Sequence, residues 1–236
     1  MDMTKSPEQD SFKEIIDEQL QKWQAEQKTR YKNPFRPVIA ISRLPGAGGS
    51  CLAQKLSKEL RFDLFDNEIV EMIATNAKWS QQIVESLDEQ DRSTLDEWIS
   101  ALGEDHLWSY EYLKHLTNVV GAIGAHGYAI IVGRGASFIL PKEVCLRLLV
   151  VAPLDVRVRN VMRIFSVPEK EARRRVTRTE SERRAFVRKY FQADLTEPAN
   201  FDLVINTENT DIDLAAKIVT ECFDSRNWYD FSTRKG

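Results

Sequence analysis

Hydrophobic and polar positions alternate along most of this chain in a way that predicts strands separated by helices. Val38–Ile41 is a continuous apolar run bounded by turn residues, as expected of a buried strand. From Ser50 onward, Leu52, Leu56 and Leu60 recur at helical spacing. "FDLFD" reads as a short strand ending at Asp66, and Ile69, Ile73 and Ala77 mark the helix after it. Residues 80–126 read as entirely helical, with Trp79, Trp98 and Trp108 as packing anchors. Tyr128–Gly133, Cys145–Ala152 and Asp202–Asn206 read as three further strands. Between the last two lies a basic helical stretch over 154–191, with a break near Pro168, and Ile212–Phe223 closes the chain as an amphipathic helix. Strands alternating with helices predict an α/β fold, a parallel sheet covered on both faces.

Residues 8–29 differ: they are helix-like but polar, with a narrow stripe of Phe12, Ile15, Ile16, Leu20 and Trp23. "YKNPFRP" then interrupts the helix, since Pro34 and Pro37 remove donors and push their predecessors into extended conformations. This predicts an N-terminal helical arm over 1–36, docked on the following domain or on a partner, and a single domain over 37–236.

Composition narrows the class. At 236 residues, 42% hydrophobic, the chain can build a full core, and its net charge of -3 gives no reason to expect nucleic acid or an anionic membrane as partner. Cys51, Cys145 and Cys222 are far apart in apolar segments, so neither a disulfide framework nor a metal cluster is expected. With no apolar leader and no stretch near ~20 uninterrupted apolar residues, the expectation is a soluble, cytoplasmic protein. His106, His115 and His126 lack metal-ligand spacing and are expected in structural or surface roles.

Three segments carry candidate chemistry. In "ISRLPGAGGS" the glycines at 46, 48 and 49 follow a strand and open a helix, so their N–H groups could turn inward on an anion at the helix N-terminus. Set against the phosphate-loop pattern G-x-x-x-x-G-K-[ST], Ser50 takes the hydroxyl position, for Mg²⁺ or a β-phosphate, while the lysine position holds Gly49. In "VGRGASFILP", Gly133 and Gly135 flank Arg134 at the carboxyl edge of a strand, where a planar fork can meet a phosphate. In "RRRVTRTESERRAFVRKYF", Arg183, Arg184 and Arg188 suit a phosphate-closing segment, and Arg157 and Arg163 on the preceding helix could reach the same anion. Asp66 could contact a substrate or the shell of a metal, with a helix N-cap as the competing role.

Taken together these residues resemble the cytidylate kinase-like family of P-loop nucleoside monophosphate kinases. The family loop I-S-R-x-x-G-x-G-G is present as Ile41 to Gly49, and the resemblance continues through "FDNEIVEMIA", "IIVGRGASFIL", "VVAPLDVRVRNVM", "RRAFVRKYF" and "FDLVINTENTDIDLAAKIV", about residues 38–220 in order. Glycine at the lysine position is the form this subgroup's loop takes. The resemblance implies a P-loop NTPase-type five-stranded parallel sheet in the order 2-3-1-4-5, a helical NMP-binding insert at about 67–126, and an arginine-rich lid at about 164–192. It implies ATP and Mg²⁺ as cofactors, Gly46, Ala47, Gly48, Gly49, Ser50 and Arg157 at the ATP phosphates, and Asp66, Arg134 and Arg184 at the acceptor. Arg43, Arg163, Arg183 and Arg188 are the expected catalytic cations, with Arg43, or Arg183 and Arg188 from the lid, standing in for the lysine. Cytidylate kinases carry G-R-D where this chain has Gly133-Arg134-Gly135, so a carboxylate near the acceptor is absent.

The expected function is ATP-dependent phosphoryl transfer to a small phosphorylated acceptor, a nucleoside monophosphate first. The alternative is a catalytically weak nucleotide sensor or interaction protein, with a partner or a second copy engaged through the N-terminal arm.

Overall fold

The computed structural model describes residues 7–27, 36–102 and 111–226. In chain order these form α1 (Pro7–Gln27), β1 (Val38–Arg43), α2 (Gly49–Leu60), β2 (Asp63–Phe65), α3 (Asn67–Thr75), α4 (Ala77–Glu85), α5 (Glu89–Ala101) and α6 (Glu111–His126). They continue as β3 (Ala129–Val132), α7 (Ala136–Ile139), β4 (Cys145–Val151), α8 (Leu154–Phe165), α9 (Glu169–Phe191), a short 3₁₀ turn at Pro198–Asn200, β5 (Leu203–Asn206) and α10 (Ile212–Ser225). The chain divides into two compact units: Met1–Arg36 with Glu68–Gly127, and Pro37–Asn67 with Tyr128–Gly236.

The second unit holds the sheet, in the order β2-β3-β1-β4-β5 with every neighbouring pair parallel. All six residues of β1 are buried, which is why this strand reads as a run rather than an alternation. Its register against β4 runs from Val38 opposite Cys145 to Arg43 opposite Val150, so the chain leaves the sheet at Arg43. The outermost strands β2 and β5 are short and only partly buried, as suits an edge. Helix α2 buries Leu52, Ala53 and Leu56 on one face. Asp211 caps α10 by accepting from the Leu214 N–H at 2.7 Å.

The first unit is helical. Its core includes Trp23, Ile83, Leu95, Leu113, Leu116 and Ile123, each below 2% exposed or close to it. Trp23 of α1 lies flat on His126 of α6, ring centroids 3.7 Å apart, and His126 Nε2 is 2.8 Å from Ser86 Oγ. The structural role expected of this histidine is thus a stacking one. The tryptophan that anchors the unit comes from the polar N-terminal helix; Trp79 and Trp98 are only half-buried, and Trp108 and His106 lie outside the described residues. Ile15 of the predicted apolar stripe is 42% exposed, so the buried face of α1 is narrower than its sequence suggests. The stretch expected to be helical without a break over 80–126 is interrupted at Ser86–Asp88, where Asp88 caps α5 through the Asp91 N–H. Among the described residues no helix is long and apolar enough to cross a membrane.

Candidate active site

The glycine-rich loop joins β1 to α2 and is fixed from two sides. Asn160 of α8 donates to the Gly46 carbonyl at 2.8 Å, and Thr207, just past β5, donates to the Ala47 carbonyl at 2.9 Å. Gly46 and Gly48 have φ of +79° and +84°, in the left-handed region that side chains resist. A Cβ on Gly46 would stand 2.5 Å from the Arg157 carbonyl oxygen, so the loop lies directly on α8. Gly48 caps α2 with no side-chain acceptor, and the first turn carries no acidic residue. The N–H groups and the positive end of the dipole are therefore presented at a helix start with no carboxylate of its own first turn competing for them.

Arg43 explains the glycine at the lysine position. Its stem crosses the Cα of Gly49: a Cβ there would sit 2.7 Å from Arg43 Cβ and 3.0 Å from Cγ. The guanidinium continues toward the next strand, where a Cβ on Gly133 would meet Nη1 at 2.1 Å. Nη2 donates to the Asn67 carboxamide oxygen. One arginine thus fills the space above both glycines.

Around it two more guanidinium groups gather. Arg134 sits at φ +50° between Gly133 at +80° and Gly135 at +74°, three consecutive left-handed residues that turn the chain out of β3. Its Nε donates to the Asn67 carbonyl at 3.2 Å. Arg183 of α9 donates through Nη1 to the Arg43 carbonyl at 3.0 Å. Burial, then the charges of Arg183 and Arg134, push the Arg43 guanidinium down to about 9, with Asp66 pulling the other way. Arg183 is also lowered, by burial and then by Arg134. Both shifts come first from burial and then from neighbouring like charge, and a bound anion would oppose both.

Two cavities meet at this cluster. One, of about 300 Å³, is bounded by Arg43, Arg134, Arg183 and Asn67 and by the aromatic rings of Phe138 and Phe186. The other, of about 740 Å³, runs along the loop past Gly46, Gly48, Gly49 and Ser50 toward Ile164 and Phe165. Arg43, Thr179, Glu182 and Arg183 line both.

Most of the remaining residues singled out in the sequence lie outside both cavities. Arg157 is buried, donating through Nε to the Ala152 carbonyl at 2.9 Å, with Nη1 2.9 Å from Glu180 Oε2 in an ion pair not aligned as a hydrogen bond; it ties α8 to α9 rather than lining either cavity. Arg184 pairs with Glu180 and Asp194 and donates to Thr196 Oγ1, bracing the end of α9. Arg163 and Arg188 are exposed and line neither cavity. Asp66 is half-buried, its charge felt at Arg43. Ser50 is exposed on the wall of the larger cavity. Asn67, Asn160, Thr207, Thr179 and Phe186 were not singled out. Asn67, Asn160, Phe186 and Thr207 stand inside the quoted family segments, but only the fold shows what they touch.

The family model of the cytidylate kinase-like family matches residues 38–209, the stretch that contains this loop, both cavities and all three gathered arginines. The chain belongs to the cytidylate kinase-like family. No curated protein matches it. Among solved structures, an uncharacterized protein from Eubacterium ventriosum is 20% identical, with a TM-score of 0.58 over 81% of this chain and 100% of that one. Shikimate kinases from Bacteroides thetaiotaomicron and Acinetobacter baumannii, the latter in complex with shikimate, are each 15% identical with TM-scores of 0.42. They cover 80% and 82% of this chain, and 98% and 97% of their own. At such identities the likeness is one of fold, and the first of the three carries it.

In this member of the cytidylate kinase-like family, Gly135 is held by packing as well as by its φ. A Cβ there would lie 2.4 Å from Phe191 Cε2 and 2.5 Å from Cζ. Gly135→Asp is expected to displace Phe191 and to destabilise the fold by about 1–3 kcal/mol, the usual range for overpacking. Urea denaturation measures this directly; an unchanged midpoint and slope would show that the ring moves aside freely.

Proposed function

We propose that this protein transfers a phosphoryl group from ATP to a small phosphorylated acceptor, with a nucleoside monophosphate as the first candidate. The observation that carries the proposal is the wall of Arg43 and Arg183 common to the two cavities. Phosphoryl transfer needs donor and acceptor in line across a site of concentrated positive charge, and asks little covalent chemistry of the protein. A donor along the glycine loop and an acceptor against Arg134 would bring their reacting ends to that wall.

The residues present fit a polyphosphate. The loop offers uncapped N–H groups at the start of α2, and beside it Arg43 and Arg183 are held in a buried setting close to like charge. Ser50, in the first turn of α2 and facing the larger cavity, would hold Mg²⁺ by its hydroxyl. Among the described residues no cluster of three or more His, Cys, Asp or Glu could hold a metal alone, so the phosphate oxygens would complete its shell. Mg²⁺ bound there supplies charge neutralisation at the phosphates. Arg43 would take the place of the loop lysine, its stem on Gly49 and its fork between the two ligands.

Arg134→Ala is expected to raise the acceptor KM about tenfold to a hundredfold, the range for losing hydrogen bonds to a charged group. ATP affinity should change far less, since Arg134 does not line the larger cavity. Arg134→Lys should recover little, because the planar fork is lost. Steady-state kinetics with calorimetry for ATP separates the two effects. Equal losses for both ligands would remove Arg134 from the acceptor site.

A further inference from the structure

Arg157 is a buried cation that the proposed reaction does not use. Its backbone lies under the glycine loop, since a Cβ on Gly46 would meet its carbonyl oxygen at 2.5 Å, yet its side chain lines neither cavity. Nε donates to the Ala152 carbonyl at 2.9 Å, which pins the fork at the end of β4. Nη1 is buried, and Glu180 Oε2 of α9 stands 2.9 Å from it. An arginine keeps its proton in such a place, so the buried charge needs a carboxylate beside it. Glu180 supplies that carboxylate from the next helix.

The second oxygen of Glu180 is engaged as well. Oε1 accepts from Arg184 Nε at 3.0 Å and lies 2.9 Å from Arg184 Nη2, and Arg184 is held in turn by Asp194 and Thr196 beyond the helix. Glu180 is half-buried and borders neither cavity. Arg183, three residues on and on the adjoining helix face, donates to the Arg43 carbonyl at 3.0 Å and lines both. Apolar packing also joins the two helices, through Val158 and Val161 against Ala172 and Val176. Such packing is non-directional: it decides which faces meet, but not their height or rotation. The Arg157–Glu180 pair, fixed to the sheet through Ala152, supplies that distance.

We infer that Glu180 is a positioning residue: paired with Arg157, it sets the height and rotation at which α9 presents Arg183 to Arg43. It acts on the transfer step through Arg183 and touches neither ligand. That role rests on the phosphoryl transfer proposed above, whereas the placement of α9 by Glu180 stands apart from it.

Single-turnover kinetics, ATP calorimetry and hydrogen exchange on the full chain test the inference. Glu180→Gln should lower the transfer rate about a hundredfold, the cost of a displacement near 1 Å at a reacting centre. ATP affinity should stay within about threefold, because no group on the glycine loop is removed. Since the loss runs through Arg183, adding Glu180→Gln to Arg183→Gln should cost no more than about a further twofold. Amides in the second half of α9 should exchange about tenfold faster in Glu180→Gln, with those of β1 unchanged. Glu180→Asp keeps the charge beside Arg157 with a shorter reach, and should recover about tenfold of the lost rate. Additive losses in the double variant, equal losses of rate and ATP affinity, or unchanged exchange in α9 overturn the inference. If the glutamine protein does not fold, the aspartate protein decides: a rate about tenfold below wild type with ATP affinity kept upholds it, and a wild-type rate overturns it. If the wild-type chain transfers no phosphoryl group, the proposed reaction falls and exchange alone judges the placement. Faster exchange in α9 then upholds it, and unchanged exchange overturns it.

Discussion

Arg43→Gln is expected to lower the single-turnover rate of phosphoryl transfer by about 10³ or more, the low end of what an arginine at a transferring phosphoryl group supplies. Glutamine is the informative replacement because it keeps a stem over Gly49 and removes the charge. The guanidinium is aimed across Gly133 and held by Asn67, beyond the loop rather than along it. An interaction made chiefly as charge develops between two ligands lowers the rate without weakening the ground state equally. ATP affinity should therefore fall by no more than about tenfold. A large loss of ATP affinity with an unaltered rate would assign Arg43 to donor binding alone. The complementary change, Gly49→Lys, should not restore the variant, because its Cβ would sit 2.7 Å from the carbon at position 43 that both residues share.

Gly48→Val should abolish measurable ATP binding while the sheet remains folded. Gly48 holds φ at +84°, where a β-branched residue is severely disfavoured, and an added Cβ would stand 3.0 Å from Ile212 Cδ1. The valine protein can keep its core only by rebuilding the turn, and the turn is what aims the first N–H groups of α2. The core itself is insulated, since β1 is buried along its whole length and packed between β3 and β4. Circular dichroism establishes that the protein is folded, and calorimetry then reports ATP. Affinity unchanged in a folded Gly48→Val protein would remove the loop from the donor site.

Much of the fold was legible because buried parallel strands announce themselves as apolar runs. Ile39–Ile41, Ile130–Val132 and Leu148–Val150 pair in the sheet much as their sequence suggests. The candidate site was legible as geometry at Arg134, where flanking glycines advertise a turned chain, and at the glycine loop. It was less legible on α9. Arg183 and Arg184 are neighbours in sequence, yet successive helical residues point about 100° apart. Arg183 accordingly faces the Arg43 carbonyl, while Arg184 pairs with Glu180 one turn back and Asp194 beyond the helix. Arg188, one turn after Arg184, follows that face outward and is exposed. Gly49 was harder still. Read along the chain it is a missing lysine; in space it is the floor under Arg43, which no local pattern reveals. Asn160 and Thr207 were hidden for a similar reason, each reaching the loop from more than a hundred residues away.

With Arg43 over Gly49 in place of a loop lysine, this chain is expected to move a phosphoryl group between two bound phosphates. Phosphorus NMR of the full wild-type chain with ATP, Mg²⁺ and a mixture of CMP and UMP tests it most directly. ADP should appear together with the diphosphate resonances of a phosphorylated acceptor, and both should be lost with Arg43→Gln. ATP broadened by binding, with no ADP above the protein-free background and no new diphosphate, would contradict it and leave a protein that holds nucleotide without turning it over.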